Sequence, residues 1–477
     1  MNTATTAAAA DPAETVSLYA AHAKIYARAV KGRFVQWRWA AVWLTQIVFY
    51  GLPWVNWNGR PAVLFELASR RFYIFDLVLY PQDFIYLTAL LLLAAYSLFF
   101  FTAVAGRLWC GYACPQTVYS EIFMWIERRI EGDRPQRMKL DAAPWSLGKL
   151  ARKGGKQLAW ISVALWTGFT FAGYFTPIRE LATATLALNL GPWQTFWVLF
   201  YGFATWGNAG FMREQVCKYM CPYARFQSAM FDRDTLIISY DTKRGEPRGA
   251  RLRKSDQAAA AQGACVDCGL CVQVCPTGID IRKGLQYECI GCAACVDACD
   301  GMMTKIGQPT GLVRYDTLNG MEQGLSSADR FKRVLRPRVL VYGAVLMLIT
   351  AAVGVSIAMR SPFKVDIVRD RSTLARLVDD GWVENVYRLQ VMNATESTQR
   401  YTVQASGLDG IVLPAPLTLE LGPAEARWAV VSLRVPPETA AAVPSGAHPI
   451  SFAIAQLDAA GAAARSLHEK STFILPR

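Results

Sequence analysis

Histidine is scarce in this 477-residue chain: only His22, His448 and His468 are present. That scarcity removes several chemistries together. A bis-histidine haem, a histidine-rich Cu(II) site and a Ser/His/Asp triad all need imidazoles beside other reactive groups, and none of the three stands beside one. No Gly-rich dinucleotide fingerprint follows a strand and there is no P-loop, which leaves another protein or a quinol as the electron donor. Cysteine is absent from residues 360–477, so that segment has nothing to be trapped as a stray disulfide in an oxidising compartment. No cleavable leader is expected either. The first apolar stretch follows a long polar arm with no small-residue cleavage pattern and reads as a retained anchor.

Apolar surface and positive charge are what the chain has in quantity. It is 53% hydrophobic with 15 Trp, yet its formal net charge is +13, a combination that fits a membrane protein with soluble parts. Five stretches are long enough to cross a hydrocarbon core of ~30 Å: Trp39–Val55, Phe84–Ala105, Leu158–Pro177, Trp193–Phe211 and Val339–Met359. Two basic segments belong on the cytoplasmic side by the positive-inside rule: the N-terminal arm (Lys24, Arg28, Lys31, Arg33, Arg38) and the loop after the second stretch, from Arg107 to Lys156. Alternation then puts residues 212–337 in the cytoplasm and the C-terminal segment outside. A basic run before the fifth stretch, Arg330, Lys332, Arg333, Arg336 and Arg338, agrees with that orientation. The basic excess is topological, and no nucleic-acid role is expected.

The 12 cysteines fall into four groups with none left over. Two groups read C-x2-C-x2-C-x3-C: Cys265, Cys268, Cys271 and Cys275, then Cys289, Cys292, Cys295 and Cys299. In such a double run the fourth cysteine ligates the other cluster. One [4Fe–4S] cluster is therefore expected on Cys265, Cys268, Cys271 and Cys299, and a second on Cys289, Cys292, Cys295 and Cys275. Structural zinc or disulfides are the bland alternatives, but doubled eight-cysteine spacing is far more specific than a lone C-x2-C.

The remaining pairs form an internal repeat. Cys110-Gly-Tyr-Ala-Cys114-Pro115 follows the second stretch and Cys217-Lys-Tyr-Met-Cys221-Pro222 the fourth. Each half is two spans and a motif, so the halves read as parallel repeats. On one helix, positions i and i+4 share a face, so each pair is expected to aim two thiolates one way and the two pairs to meet at the cytoplasmic rim. Proline after the second cysteine fits a helix start or kink. Soft thiolates select Cu(I), zinc or iron–sulfur. Met212 and Met220 could add thioethers but read as apolar helix residues. The bland reading of all four cysteines is core filling beside a kink.

The rest divides simply. Glu66, Asp76 and Asp83 with Arg60, Arg70 and Arg71 read as a solvated, aromatic-anchored loop between the first two spans. Past the fifth span, Val386–Asn393, Arg400–Ala405, Trp428–Val435 and Pro449–Ala455 alternate with period two between Gly and Pro punctuation, which predicts an immunoglobulin-like β-sandwich acting as a docking module. The expected architecture is mixed. Residues 1–38 form a cytoplasmic arm, 39–235 a four-span α-helical membrane domain with two C-x3-C-P repeats, 236–337 a ferredoxin-like domain, 338–359 a fifth span, and 360–477 a periplasmic all-β sandwich.

This combination resembles the CcoG/FixG/RdxA family over essentially the whole chain after the N-terminal arm. Paired C-x3-C-P motifs also occur in NosR and NapH relatives, so the specificity rests on their union with the eight-cysteine insert and the sandwich opening Val383-Glu-Asn-Val-Tyr-Arg-Leu-Gln-Val-Met-Asn393. The resemblance implies a bacterial inner-membrane accessory protein for assembly of the cbb3-type cytochrome c oxidase. It further implies reduction of Cu(II) to Cu(I), with copper as substrate and oxidase assembly factors or a copper chaperone as partners; a second copy of the chain is a further candidate partner. The metal residues it implies are the eight ferredoxin cysteines together with Cys110, Cys114, Cys217 and Cys221. One departure is Asp300, where such a run usually has proline, and it is expected to alter hydrogen bonding more than cluster occupancy. Two other roles remain open: a NapH-like quinol dehydrogenase subunit serving a periplasmic partner, and a non-enzymatic assembly scaffold whose clusters are structural or sensory.

Overall fold

The computed structural model describes residues 24–250, 262–370, 375–458 and 460–476. His22 and the start of the N-terminal arm lie outside these residues. Helix α1 (Arg33–Gly51) opens against the ferredoxin region, where the Asp297 carboxylate accepts the backbone N–H of Phe34 at 3.2 Å and of Val35 at 2.8 Å. A carboxylate there satisfies amides that have no partner within the helix and faces the positive end of its dipole. The helical part continues through α2 (Phe84–Ala105), α3 (Leu108–Tyr112), α4 (Pro115–Glu131), α5 (Leu147–Ala172), α6 (Pro192–Gly207) and α7 (Pro222–Met230).

Among the described residues, two helices are long and apolar enough to cross a membrane: the segment Pro81–Ala105, which contains α2, and a later helix over Pro337–Ala358. The other three stretches are helical but fall short on length or mean hydropathy. Helix α1 includes Arg33 and Arg38, α5 spends its first half on Lys149, Arg152, Lys153 and Lys156, and α6 has 16 residues before the chain enters a π-helical turn at Asn208–Met212. All three still turn large apolar side chains outward, among them Trp43, Leu158 and Phe203. Helices α5 and α6 cross so closely that a Cβ on Gly168 would run into the Val198 carbonyl oxygen. Glycine there lets the backbones meet.

Much of the basic loop after α2 is buried and paired. Glu127 accepts from Arg137 at 2.8 Å and from Arg213 at 3.0 Å, while Glu131 meets Lys153 and Lys156, each at 2.9 Å. These pairs pin α4 to α5 and to the chain after α6. Trp160 stacks on Phe123 at 5.2 Å and donates its indole N–H to that residue's carbonyl.

In the cysteine-rich segment, strands β1 (Ile237–Tyr240) and β2 (Val313–Asp316) pair antiparallel and hold its two ends together. Between them, α8 (Leu270–Gln273) lies within the first cysteine run, and α9 (Ala294–Lys305) starts within the second and continues past Cys299. Ile238, Ile281, Val296, Met303 and Val313 make a small core against which Cys265, Cys271, Cys289, Cys295 and Cys299 pack.

The sandwich follows α10 (Pro337–Ala358). One sheet is built on β4 (Val383–Asn393), flanked by β3 (Phe363–Arg369) and β7 (Ala426–Val435). The other runs β6 (Leu417–Leu421), β5 (Gln399–Ser406), β8 (Gly446–Leu457) and β9 (Ala463–Leu475), all antiparallel. Tyr387, Leu389, Val391, Leu433, Phe452 and Phe473 fill the space between the sheets. The loop between α1 and α2 is solvated only in part, Arg70 and Asp76 being exposed as expected. Leu64, Tyr73, Val78 and Tyr80 form a joint core with Met392, Ala394 and Ala424 of the sandwich, and the Tyr80 hydroxyl donates to the Asn393 and Ala424 carbonyls. Asp83 pairs with Arg360 at 2.5 Å and Lys364 at 3.1 Å, and Arg60 pairs with Glu396. Partners supplied by distant chain drew these charges out of water.

Candidate redox centre

The eight ferredoxin cysteines line two neighbouring cavities. Cys265, Cys268, Cys271 and Cys299 line one; Cys275, Cys289, Cys292 and Cys295 line the other, which Cys271 also reaches. The fourth cysteine of each run thus stands with the first three of the other. Backbone N–H groups of Val272, Gly291, Ala294 and Val313 are aimed at Cys271, Cys289, Cys292 and Cys299. Burial pushes the Cys289 and Cys299 thiols up to about 12 and Cys271 up to about 11, so bare thiolates are costly there and a bound cation is what would favour them. Apolar walls, thiols and convergent amide donors suit an iron–sulfur cluster. Among the described residues no three Cys, His or carboxylate side chains stand close enough together to hold one metal ion as they are, the C-x3-C-P cysteines included. Asp300, the departure from the usual proline, accepts the Gly311 N–H at 2.7 Å and ties α9 to the turn before β2.

The two C-x3-C-P motifs come together, although not on continuous helices. Cys110 lies in α3, but Cys114 is extended (φ −60°, ψ 128°) and Pro115 begins α4. Cys217 lies in a π-helical turn, Val216–Met220; Cys221 is extended (φ −80°, ψ 106°) and Pro222 begins α7. Proline pushes the residue before it out of the α region, so the helix breaks at the second cysteine of each pair and the expected shared i, i+4 face is replaced by a corner. Cys110 feels the charges of Cys114 and Cys221, and Cys217 those of Cys114, Cys110 and Cys221. Burial raises both Cys110 and Cys217 to about 12. The Cys110 thiol donates to Gln227 Oε1 at 3.3 Å, and Thr117 donates to the Cys110 carbonyl at 2.6 Å. Met212 and Met220 both sit in π-helical turns, and Met220 is exposed. His448 and His468 are on sandwich strands.

Gly111 joins the two cysteine systems. A Cβ there would lie 2.8 Å from the Gly291 carbonyl carbon and 2.9 Å from Cys292 Cα, so α3 rests backbone to backbone on the Cys289–Cys292 loop. Buried Arg107 reaches the Tyr287 and Cys289 carbonyls with one nitrogen and the Ala224 carbonyl, just past Cys221-Pro222, with another. Arg38, also buried, pairs with Glu121 at 3.3 Å and lowers the cost of charge at Cys292. By charge count Arg38 and Arg107 read as topological signals; tertiary packing turns them into the positive charge beside the cysteines. Their one visible sign in sequence was an arginine beside aromatic, apolar neighbours at the edge of an apolar stretch.

Residues 212–318 match a family model described as a 4Fe-4S dicluster domain, residues 87–132 one described as a 4Fe-4S binding domain, and residues 353–476 one described as an IG-like fold at the C-terminal of FixG. Nitrogen fixation protein FixG of Rhizobium meliloti is 36% identical over 422 residues, covering 82% of this chain and 80% of that protein. The chain belongs to the FixG/RdxA family. Another member of the FixG/RdxA family, protein RdxB of Cereibacter sphaeroides, is 38% identical over 401 residues, 82% of this chain and 84% of RdxB. A FixG-related protein from Vibrio parahaemolyticus, known from a crystal structure, is 27% identical over 24% of this chain and 97% of that one, with a TM-score of 0.21. As a FixG/RdxA member with a dicluster region, this chain is an iron–sulfur electron-transfer protein carrying two [4Fe–4S] clusters and a C-terminal Ig-like domain.

Proposed function

We propose that this chain is a bacterial inner-membrane cupric reductase that supplies Cu(I) during assembly of a cbb3-type cytochrome c oxidase. The observation that carries the reading is the contact of Gly111 with the Gly291–Cys292 backbone, which sets four clustered thiols directly against a cluster-binding loop. Cys265, Cys268, Cys271 and Cys299 would hold one [4Fe–4S] cluster and Cys275, Cys289, Cys292 and Cys295 the other; when bound, they supply one-electron redox chemistry. Cys110, Cys114, Cys217 and Cys221 receive Cu(II), which takes up one electron and leaves as Cu(I), the state soft thiolates prefer. Arg107 and Gln227 orient that site through the Ala224 carbonyl and the Cys110 thiol. Outward apolar residues on α1, α5 and α6 support further membrane-embedded helices beside the two long ones. The basic segments support a cytoplasmic cluster region and a periplasmic sandwich, which would dock a copper chaperone or oxidase assembly factor.

The test is anaerobically reduced, purified protein mixed with Cu(II) in the presence of a Cu(I) chelator. Stoichiometric Cu(I) is expected, lost in Cys110→Ala and in Cys217→Ala while the cluster spectra persist. Unchanged copper reduction in both variants would assign the cysteines to packing, and no reduction by the wild type would favour an assembly scaffold. Reporter fusions near Gly320 and at the C-terminus check the orientation, with activity outside the cytoplasm expected only for the second.

A further inference from the structure

An apolar cleft of about 640 Å³ lies between α1 and α3, and the copper site does not use it. Trp37, Ala41 and Leu44 form a stripe along α1 on one side; Phe101 and Trp109 stand on the lining from α2 and α3. Trp37 and Leu44 are 65% and 66% exposed, so the cleft opens sideways on the outward apolar face of the helical part. Tyr112 and Tyr315 stand in its lining with hydroxyls 3.4 Å apart, and Trp37 and Trp109 add indole N–H groups. Tyr315 donates to the carbonyl of Gly291, the residue between Ile290 and Cys292 in the cluster loop. With that proton engaged, the Tyr112 hydroxyl keeps a donor for a ligand and Tyr315 an oxygen that can accept.

The lining selects among lipid-soluble ligands. It holds no charged side chain, so a phospholipid headgroup finds no counter-charge. A neutral aromatic ring with oxygens at its edge finds aromatic faces to stack on and two hydroxyls to bond. We propose that this cleft binds a lipid-soluble quinone or hydroquinone, its ring against Tyr112 and Tyr315 and its prenyl tail along α1. The choice of ligand rests on the electron-transfer reading; the binding does not depend on copper.

The experiment uses full-length, cluster-loaded protein in detergent and a decyl-benzoquinone carrying a photoreactive azide. Crosslinks are expected within residues 34–44 or 108–113, with far less capture by an azide-bearing decyl chain that lacks the ring. Equal capture of the ringless probe would make the cleft a lipid crevice and overturn the proposal. Tyr112→Phe should weaken quinone binding about tenfold, the scale of one lost hydrogen bond, and Ala41→Trp, which fills the cleft, should abolish it. Acid-labile sulfide and the cluster EPR signal, measured on the same samples, show that each variant is folded and loaded. Unchanged affinity in a loaded Ala41→Trp protein would place the ligand elsewhere and overturn the assignment. Copper reduction by dithionite-reduced protein is scored separately, so its failure would sink the cupric reductase reading while leaving quinone binding intact.

Discussion

The sandwich and the cysteine-rich segment close their cores by different means. Between its sheets the sandwich packs Tyr387, Leu389, Val391, Leu433, Phe452 and Phe473 with no cysteine at all. The cysteine-rich segment has a few small and medium apolar residues, one two-stranded ribbon and buried thiols around two cavities. A core of side chains alone is complete once the chain has folded; a core lined by buried thiols is complete only with what those thiols hold. The first region should therefore be indifferent to iron and the second should not.

Removing iron is the harshest test of this contrast and should have the largest effect. Apo protein is expected to lose the unfolding transition of the cysteine-rich segment while keeping that of the sandwich, as read by calorimetry and near-UV circular dichroism; retention of both transitions would break the comparison. Leu433→Ala reverses the target. It should destabilise the sandwich by about 2–5 kcal/mol, as for other buried leucines, with no change in cluster absorbance. Gly111→Ala tests the seam between the two cysteine systems, since its new methyl must displace the Gly291–Cys292 backbone. A cost of about 1–3 kcal/mol is expected, with slowed Cu(II) reduction and retained iron; wild-type copper kinetics would show that the close contact is not needed for the reaction. The smallest effect concerns Glu384. Burial alone would raise its pKa, but hydrogen bonds from Arg434 and Arg376 outweigh that and hold it below its ordinary value. Its stabilisation of the sandwich is then full above about pH 4.3, the ordinary glutamate value, and is lost as pH falls through the lower folded value. Glu384→Gln should flatten that acid limb of the melting curve.

Local grammar made much of this legible beforehand. The four period-two runs between Gly and Pro punctuation became β4, β5, β7 and β8. Strands β3, β6 and β9 were not read from the sequence, since β6 has only five residues and β9 is largely exposed along its length. Prolines after Cys114 and Cys221 marked helix starts, because proline's fixed φ and missing N–H suit the first helical position. The same prolines broke the expected helical faces, a consequence that i, i+4 counting ignored. The π-helical turns around Cys217 had no periodic signature to read.

Ligand type and spacing are written along the chain, and iron–sulfur chemistry follows from them because three thiolates at C-x2-C-x2-C spacing reach one cluster without help from distant residues. Which residues lie against those thiolates is a different matter. Arg38, Arg107, Gly111 and Asp297 act across separations that no local pattern encodes, and each has an ordinary reading on its own: a topological charge, a small residue, a surface carboxylate. Only packing gave them their work, because desolvation makes a buried charge depend on its neighbours and a missing Cβ matters only where another backbone comes near.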